Sequence, residues 1–403
     1  MRITENGSAV SRIVLGHCAT WLETHGAEQL RDAIERISGA HLLITYEQDA
    51  CPARGGRRVI GPPPPPPGKS RGAPAPGVSP GRPATHREIS RYARAQGFPP
   101  ESPEANDCVI LCAVGEDLIL SGTNDRSVYY SVFHLLQTRF HVGYYFDGDT
   151  YEQQGDLSVP TGQWVERSAF RFRHTVGQWV YNFAALLNGE ERRRELEFFA
   201  RNKINSYRFY TWNSYFRKRV FQKMGVPTEP ITADDLARMR VLQETAEYAR
   251  RLGMETMVYM LPQETSLEFR KVYPDARYFG CEWVKDDDAA PDIVPYLYPD
   301  DPLYRRLIRT SVETWIETYG PCRHFSAAPP SEHHIATDIE DFININVNFA
   351  KYTYQAIREA VPDARFFFDG WGVRANTPPS IWTMPGVMER FVDALPAEVY
   401  FLD

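Results

Sequence analysis

Carboxylate residues follow apolar segments at several points in the second half of this 403-residue chain. Ser331 and Glu332 come after the apolar run 322–328 and two prolines. Parallel α/β barrels build active sites where strands end, and a glutamate in such a loop can act as a general acid. The alternative is that Glu332 is a solvated loop residue beside two chance histidines.

The chemistry that best fits this pattern is glycoside hydrolysis. It needs a carboxylic acid that protonates the leaving oxygen and a second carboxylate on the other side of the anomeric carbon. Glu332 is the best candidate for the acid, and the candidates for the second carboxylate are Glu264, Asp369 and Asp403. The alternative for Asp369 and Asp403 is to hydrogen-bond sugar hydroxyls or to hold neighbouring side chains.

Tryptophans lie close to the ends of the same apolar segments. Trp179, Trp212 and Trp371 each follow such a segment by a few residues. Aromatic residues make up 13% of the chain, and large flat rings suit a cleft that packs against the C–H faces of sugars. A large barrel also buries many aromatic residues, so a place in the core is about as well supported for each tryptophan.

A repeated strand–helix framework is predicted to position these residues. From residue 170 onwards, strands are predicted at 170–176, 204–210, 254–261, 322–328, 364–369 and 398–403, with helices at 190–201, 233–252, 301–319, 338–361 and 387–395. Such alternation predicts a parallel α/β sheet. Long segments after the second to fourth strands favour a TIM (β/α)8 barrel. The competing doubly wound sheet is disfavoured because no glycine-rich phosphate loop follows the first strand.

The count of strands predicts that the barrel is incomplete at its C-terminus, because six strands are found where a TIM barrel has eight. The first 160 residues predict a separate, smaller α/β domain. Within it, residues 52–86 include six consecutive prolines and little apolar content, which predicts a disordered insert. The predicted domains are therefore 1–160, non-catalytic, and 168–403, the barrel.

Composition and motifs exclude several other classes of protein. The net charge of -7 offers no basic surface for nucleic acid, and no apolar run approaches the length of a membrane span. His324, His333 and His334 lack the spacing of a metal site, there is no G-x-S-x-G nucleophile motif, and the pattern calls for no cofactor. The six scattered cysteines are predicted to be free thiols.

Location and assembly are less constrained by the sequence. The polar start at Met1 has no signal peptide, so a cytoplasmic location is the default expectation. A secreted or periplasmic location would require a start upstream of Met1. The oligomeric state stays open.

Seven segments of the barrel region resemble, in the same order, segments of the alpha-N-acetylglucosaminidases, a family of retaining glycoside hydrolases. They are FRFR at 170–173, ELEFFARNKIN at 195–205, LGMET at 252–256, YPDDP at 298–302, PPSE at 329–332, FDGW at 368–371 and VYFLD at 399–403. In the first domain, ISGA at 37–40 and DRSVYYSVFHLL at 125–136 resemble the non-catalytic domain that the family shares with alpha-glucuronidases. The resemblance implies a retaining hydrolase that removes a terminal alpha-linked sugar.

The resemblance also implies roles for individual residues. Glu332 takes the place of the general acid/base, Trp371 that of an indole packed on the sugar, and Leu402 lies near the pocket wall. Together with the residues that follow the predicted strands, this predicts substrate contacts for Trp371, Ser331, Asp369, Trp179, Trp212 and Leu402.

Three departures from the family pattern leave alternatives open. Ser331 stands where the family has Asn, Thr175 and Gly177 stand where it has Asn and Cys, and the nucleophilic glutamate is expected beyond residue 403. One alternative is an alpha-glucuronidase-like hydrolase, in which Arg374 or Arg173 binds the sugar carboxylate. The other is a catalytically inactive carbohydrate-binding protein on the same fold.

Overall fold

The computed structural model describes residues 1–47, 76–102, 106–175, 188–211, 213–260, 265–281, 294–329, 338–370 and 384–402. The chain forms two compact units. The first unit comprises Met1–Arg173, Glu195–Asn205 and Arg251–Met254, and the second comprises His174–Arg194, Ser206–Arg250 and Glu255–Asp403.

The first unit contains a mixed six-stranded sheet with helices. Its strands are β1 Arg2–Glu5, β2 Ser8–Ala9, β3 Arg12–Leu15, β4 Ile44–Tyr46, β5 Gly77–Pro80, β6 Cys108–Val114, β7 Asp117–Gly122, β8 Gly143–Tyr145, β9 Gly148–Thr150, β10 Leu157–Ser158 and β11 Gly162–Arg167. Its helices are α1 Trp21–Ser38, α2 Arg87–Gln96 and α3 Asp125–Phe140. The six-stranded sheet has the order β11-β6-β7-β5-β3-β4, and β10-β1-β2 form a smaller antiparallel sheet.

Part of the predicted disordered insert is an ordered strand. β5 lies between β3 and β7 and pairs with both in parallel, and Val78 is fully buried. Residues 77–86 therefore do not belong to a disordered insert. The prediction was too long at this end because the composition of the whole segment hides one short buried strand.

Asp107 anchors a buried polar cluster in the first unit. Its carboxylate accepts hydrogen bonds from Asn124 (2.9 Å), from Arg126 Nε (2.8 Å), from Asn205 (3.1 Å) and from Arg173. Burial by itself raises the pKa of Asp107, but the two arginines and Asn124 outweigh it and leave the pKa below the usual value. The cluster ties β6, α3 and two loops together.

We expect Asp107→Asn to lower the free energy of unfolding by about 2 kcal/mol, because a buried carboxylate with charged donors is replaced by a neutral amide. Since the folded pKa is depressed, the stabilisation is present above the unfolded pKa of about 3.9 and is lost as the pH falls through the folded value. Urea unfolding at neutral pH measures the loss. The matched control is Glu5→Gln, which breaks an exposed pair with Arg2; a similar loss in both variants would contradict the cluster's importance.

The second unit contains the predicted parallel sheet. Its strands are β12 His174–Thr175, β13 Ser206–Tyr210, β14 Glu255–Met260, β15 Tyr278–Cys281, β16 Val294–Leu297, β17 His324–Ala327, β18 Arg365–Asp369 and β19 Val399–Leu402. The order β12-β13-β14-β17-β18-β19 is parallel throughout, and β15 and β16 form a separate hairpin. Because this order never reverses among the described strands, the doubly wound alternative is excluded.

The described connecting helices number seven, of which five match predicted helices and two were not predicted. They are α4 Gly189–Arg201, α5 Ser214–Lys223, α6 Ala233–Arg251, α7 Leu267–Val272, α8 Pro302–Tyr319, α9 Ile339–Ala360 and α10 Val387–Ala394. One face of the sheet packs on them: Phe209 contacts Trp315 of α8, and Phe368 contacts Phe349 of α9. The opposite face, which we call the inner face, carries the alternate residues of each strand.

The cysteines correct one sequence-based expectation. Cys108, Cys112 and Cys322 are free and buried, as predicted. Cys18 is disulfide-bonded, so the prediction of free thiols throughout was wrong for this residue. Wide spacing in the sequence gives no information about which thiols the fold brings together.

Candidate active site

Most residues predicted for the site lie outside the described residues. These are Trp179, Trp212, Glu264, Ser331, Glu332, Trp371, Arg374 and Asp403. Leu402 ends β19 with its backbone paired to Asp369, while its side chain is not among those described. Among the residues predicted to contact the substrate, Asp369 is therefore the one whose side-chain contacts are described.

Asp369 is the last residue of β18 and forms a buried ion pair with Arg208 of β13. Arg208 Nη1 donates to Asp369 Oδ2 at 3.0 Å, and the two residues are only 3% and 7% exposed. Two strands, β14 and β17, lie between their strands in the sheet. At roughly 4.8 Å per strand this separation is about 14 Å across a flat sheet. The contact therefore requires the inner face to curl into a concave surface, as in a barrel.

Two tyrosines enclose the Arg208 guanidinium. Arg208 Nη2 donates to the Tyr210 hydroxyl at 3.0 Å, and the guanidinium carbon lies 5.3 Å from the Tyr210 ring and 5.1 Å from the Tyr259 ring. Burial and the nearby charge of Asp369 raise the pKa of Tyr259, and burial likewise raises the pKa of Tyr210. Both phenols therefore stay protonated and present hydroxyl groups to the inner face.

The inner face holds further polar atoms that lack a hydrogen-bond partner among the described residues. They are His174 Nε2, Arg208 Nε and Ser326 Oγ. Registered pairs place Ser326 beside Tyr259 at the level of Tyr210. A buried polar atom without a partner costs about 1–3 kcal/mol. Several on one concave face are more typical of a ligand site than of a packed core.

His174 is neutral in the folded protein. Burial, followed by the charge of Arg208, lowers its pKa to about 3, and its Nδ1 lies 3.2 Å from Ser206 Oγ. The ring therefore adds no positive charge beside Arg208. It can donate or accept one hydrogen bond through Nε2, depending on the tautomer.

We expect His174 to make the folded state sensitive to acid. Because its folded pKa lies below the unfolded value of about 6.5, the unfolded chain binds the extra proton, and stability falls as the pH drops from about 6.5 towards 3. The loss approaches roughly 1 kcal/mol per pH unit. Urea unfolding of the parent chain and His174→Gln across this range measures it. Parallel pH curves for the two proteins would rule out the neutral buried histidine.

Arg208, Tyr259 and Ser326 are the functional candidates that sequence reasoning missed. The signal was present for Arg208, since it occupies an alternate position between Ser206 and Tyr210, in a strand whose other face carries Tyr207 and Phe209. Its partner is 161 residues away in the chain. Periodicity within one strand cannot identify such a partner.

Among the described residues, no group of three or more His, Cys, Asp or Glu side chains could hold a metal ion. His324 lies on the inner face, where its Nδ1 is 3.7 Å from Glu255 and its ring contacts Phe367. Within the described part of the chain, no helix combines the length and the apolar character that crossing a membrane requires.

The family comparison matches the second half of the chain. A family model described as the alpha-N-acetylglucosaminidase (NAGLU) tim-barrel domain matches residues 190–402, which is more than half of the sequence. A search of curated proteins finds no match.

Solved structures of glycoside hydrolases share the fold. A family 89 glycoside hydrolase from Clostridium perfringens, in complex with 2-acetamido-1,2-dideoxynojirmycin, is 12% identical with a TM-score of 0.60, and the match covers 74% of this chain and 36% of that one. The same organism's enzyme in complex with GlcNAc-alpha-1,4-galactose is 12% identical with a TM-score of 0.56, and the match covers 76% of this chain and 36% of that one. The GH20 beta-N-acetylhexosaminidase from Streptomyces coelicolor A3(2) is 14% identical with a TM-score of 0.51, and the match covers 93% of this chain and 64% of that one.

These likenesses show the fold alone, since the identities are low. The chain spans about a third of the length of the two family 89 structures that it matches.

Proposed function

This chain belongs to the alpha-N-acetylglucosaminidase family, and on that premise we propose that it is a glycoside hydrolase that takes a terminal alpha-linked N-acetylglucosamine-type sugar. The observation that carries the proposal furthest is the buried Arg208–Asp369 pair on the inner face of the parallel sheet. Barrel enzymes bind substrate at the carboxyl ends of their strands, and Asp369 is the last residue of its strand.

The proposed mechanism is retaining, with Glu332 as the general acid/base. Glu332 follows β17 by five residues in the sequence, which is the chain position that a strand-end acid needs. A retaining enzyme uses a second carboxylate as nucleophile, with about 5–5.5 Å between the two carboxyl groups. The proposal assigns no residue of the described chain to that role.

Asp369 is better suited to bind the sugar than to attack it. Its carboxylate is held by a charge-assisted hydrogen bond, and such a group is a strong acceptor for hydroxyl donors. We assign recognition of the sugar hydroxyls to Asp369. Further sugar contacts are assigned to Trp371 and Leu402, as the family resemblance implies, and to Ser331, Trp179 and Trp212, which follow predicted strands in the sequence.

The contacts of Arg173 disfavour one of the two arginines that the alpha-glucuronidase-like alternative assigns to the sugar carboxylate. Arg173 donates to Asp107, to the Lys203 carbonyl at 2.6 Å and to Ser168 Oγ at 3.0 Å, all within the first unit. Its guanidinium is therefore already committed to the Asp107 cluster. Arg374 is the residue that this alternative would still need, and it lies outside the described residues.

Hydrolysis of aryl glycosides tests the proposed function. Because the family resemblance places the nucleophile beyond residue 403, we expect a version of the chain extended at its C-terminus to release the aryl group from an aryl alpha-N-acetylglucosaminide. The beta-anomer and the aryl alpha-glucuronide should stay intact. Preference for the alpha-glucuronide would support the second hydrolase class. Binding of the iminosugar 2-acetamido-1,2-dideoxynojirmycin without any turnover would identify a carbohydrate-binding protein, and neither binding nor turnover would refute the proposal.

A further inference from the structure

We propose that Arg208 is a positioning residue that fixes the Asp369 carboxylate so that the pair recognises one hydroxyl group of the bound sugar. The inference rests on the proposed function, since it names the residues that recognise a sugar hydroxyl within the proposed site. Arg208 itself acts through Asp369 and need not touch the sugar.

The geometry places Arg208 beneath Asp369. Registered strand pairs put Tyr210, Tyr259 and Phe367 at one level of the inner face. Arg208 lies two residues before Tyr210 and Asp369 lies two residues after Phe367. The guanidinium therefore contacts the Asp369 carboxylate from the side nearer the middle of the sheet, and Asp369 is the last residue of β18. The carboxyl ends of the strands, where substrate binds in barrels, lie on the other side of Asp369.

The guanidinium is fixed on several sides before it reaches the carboxylate. Tyr210 accepts a hydrogen bond from Nη2, and the rings of Tyr210 and Tyr259 lie close to the guanidinium carbon. An arginine is planar and donates in fixed directions, so an immobile guanidinium also sets the direction of the carboxylate that accepts from it. A carboxylate can accept about four hydrogen bonds, so a carboxylate that accepts from an arginine can accept from a sugar hydroxyl as well.

Stability alone does not explain the pair. Replacing a buried ion pair by apolar residues of similar volume is often neutral or stabilising, so an arginine and an aspartate buried on facing strands suggest another role. Arg208 Nε is buried without a hydrogen-bond partner among the described residues, and a role in packing alone does not account for this polar atom. A site that hydrogen-bonds a hydroxyl group of its substrate binds the analogue without that hydroxyl more weakly. Discrimination between such sugars is the function that we infer for the pair.

The test is titration calorimetry of the full chain with N-acetylglucosamine and its 3-, 4- and 6-deoxy analogues. For the parent chain we expect one deoxy analogue to bind about 10- to 100-fold more weakly than N-acetylglucosamine, as a hydrogen bond to a charged group predicts. Arg208→Met and Asp369→Asn should each weaken N-acetylglucosamine binding by a similar factor and abolish the discrimination against that one analogue. Arg208→Lys keeps the charge without the planar geometry and should reduce the discrimination by about 3-fold or more.

The matched control is Lys218→Met. It breaks another ion pair of the second unit, the partly buried Lys218–Asp235 at 2.8 Å, whose members lie on α5 and α6 rather than on the sheet. A purely structural loss should lower the melting temperature of this control as well, while its hydroxyl discrimination stays at the parent value. Arg208→Lys carries the test if Arg208→Met does not fold.

The outcomes separate the two proposals. If the parent chain binds none of these sugars, the proposed function fails and the positioning role with it. If the parent chain discriminates one hydroxyl and Arg208→Lys and Arg208→Met discriminate it equally well, the positioning role alone is overturned. Loss of discrimination in the control as well would also overturn it.

Discussion

In a version of the chain extended to include the expected nucleophile, replacing Glu332 by glutamine is expected to lower kcat on aryl alpha-N-acetylglucosaminides with poor leaving groups. The expected loss is about 10²- to 10⁴-fold, the usual contribution of general acid catalysis. Glutamine cannot donate a proton to the leaving oxygen. A substrate whose leaving group departs without protonation should therefore lose much less. Steady-state rates over a series of leaving groups measure the difference.

The control for this substitution is Glu340→Gln in the same unit. Glu340 lies in the first turn of α9 and forms an exposed ion pair with Arg390. Exposed pairs contribute little, so turnover should equal that of the parent chain. Equal turnover in Glu332→Gln for every leaving group would show that the general acid is a different residue.

Replacing Asp369 by leucine is expected to lower the free energy of unfolding by about 3–5 kcal/mol, because it leaves the Arg208 charge buried without its partner. Adding Arg208→Met should restore most of that loss, since a well-packed apolar pair is often as stable as a buried ion pair. Urea unfolding of the parent, both single variants and the double variant forms a closed cycle that measures the coupling. Additive losses would mean that the two side chains do not interact.

The framework of the second unit was predictable because its segments have clear periodicity. The helix α8 has buried residues at the spacing of an amphipathic helix, and the strand β18 has three consecutive phenylalanines directly before Asp369. The structure moves the predicted ends by one to a few residues. The helix α5 was missed although Phe216, Val220 and Phe221 are buried on one side of it, because its many basic residues resemble a loop.

The candidate site was less predictable for a physical reason. Asp369 could be identified from its position after an apolar run, since that feature is local. Its contact with Arg208 depends on the curl of the sheet, which brings the second and fifth parallel strands together across the inner face. No property of either strand alone specifies this contact. The ordered strand β5 shows the same limit, because its place in the sheet comes from β3 and β7 on either side of it.

Calorimetric titration with 2-acetamido-1,2-dideoxynojirmycin tests the central claim most directly, namely that this chain has an N-acetylglucosamine-type sugar site that includes Asp369. We predict saturable binding of one iminosugar per chain, weakened about 10-fold or more in Asp369→Asn because a charge-assisted hydrogen bond is lost. Binding of equal strength in the parent chain and Asp369→Asn, or no binding by the parent chain, would contradict the claim.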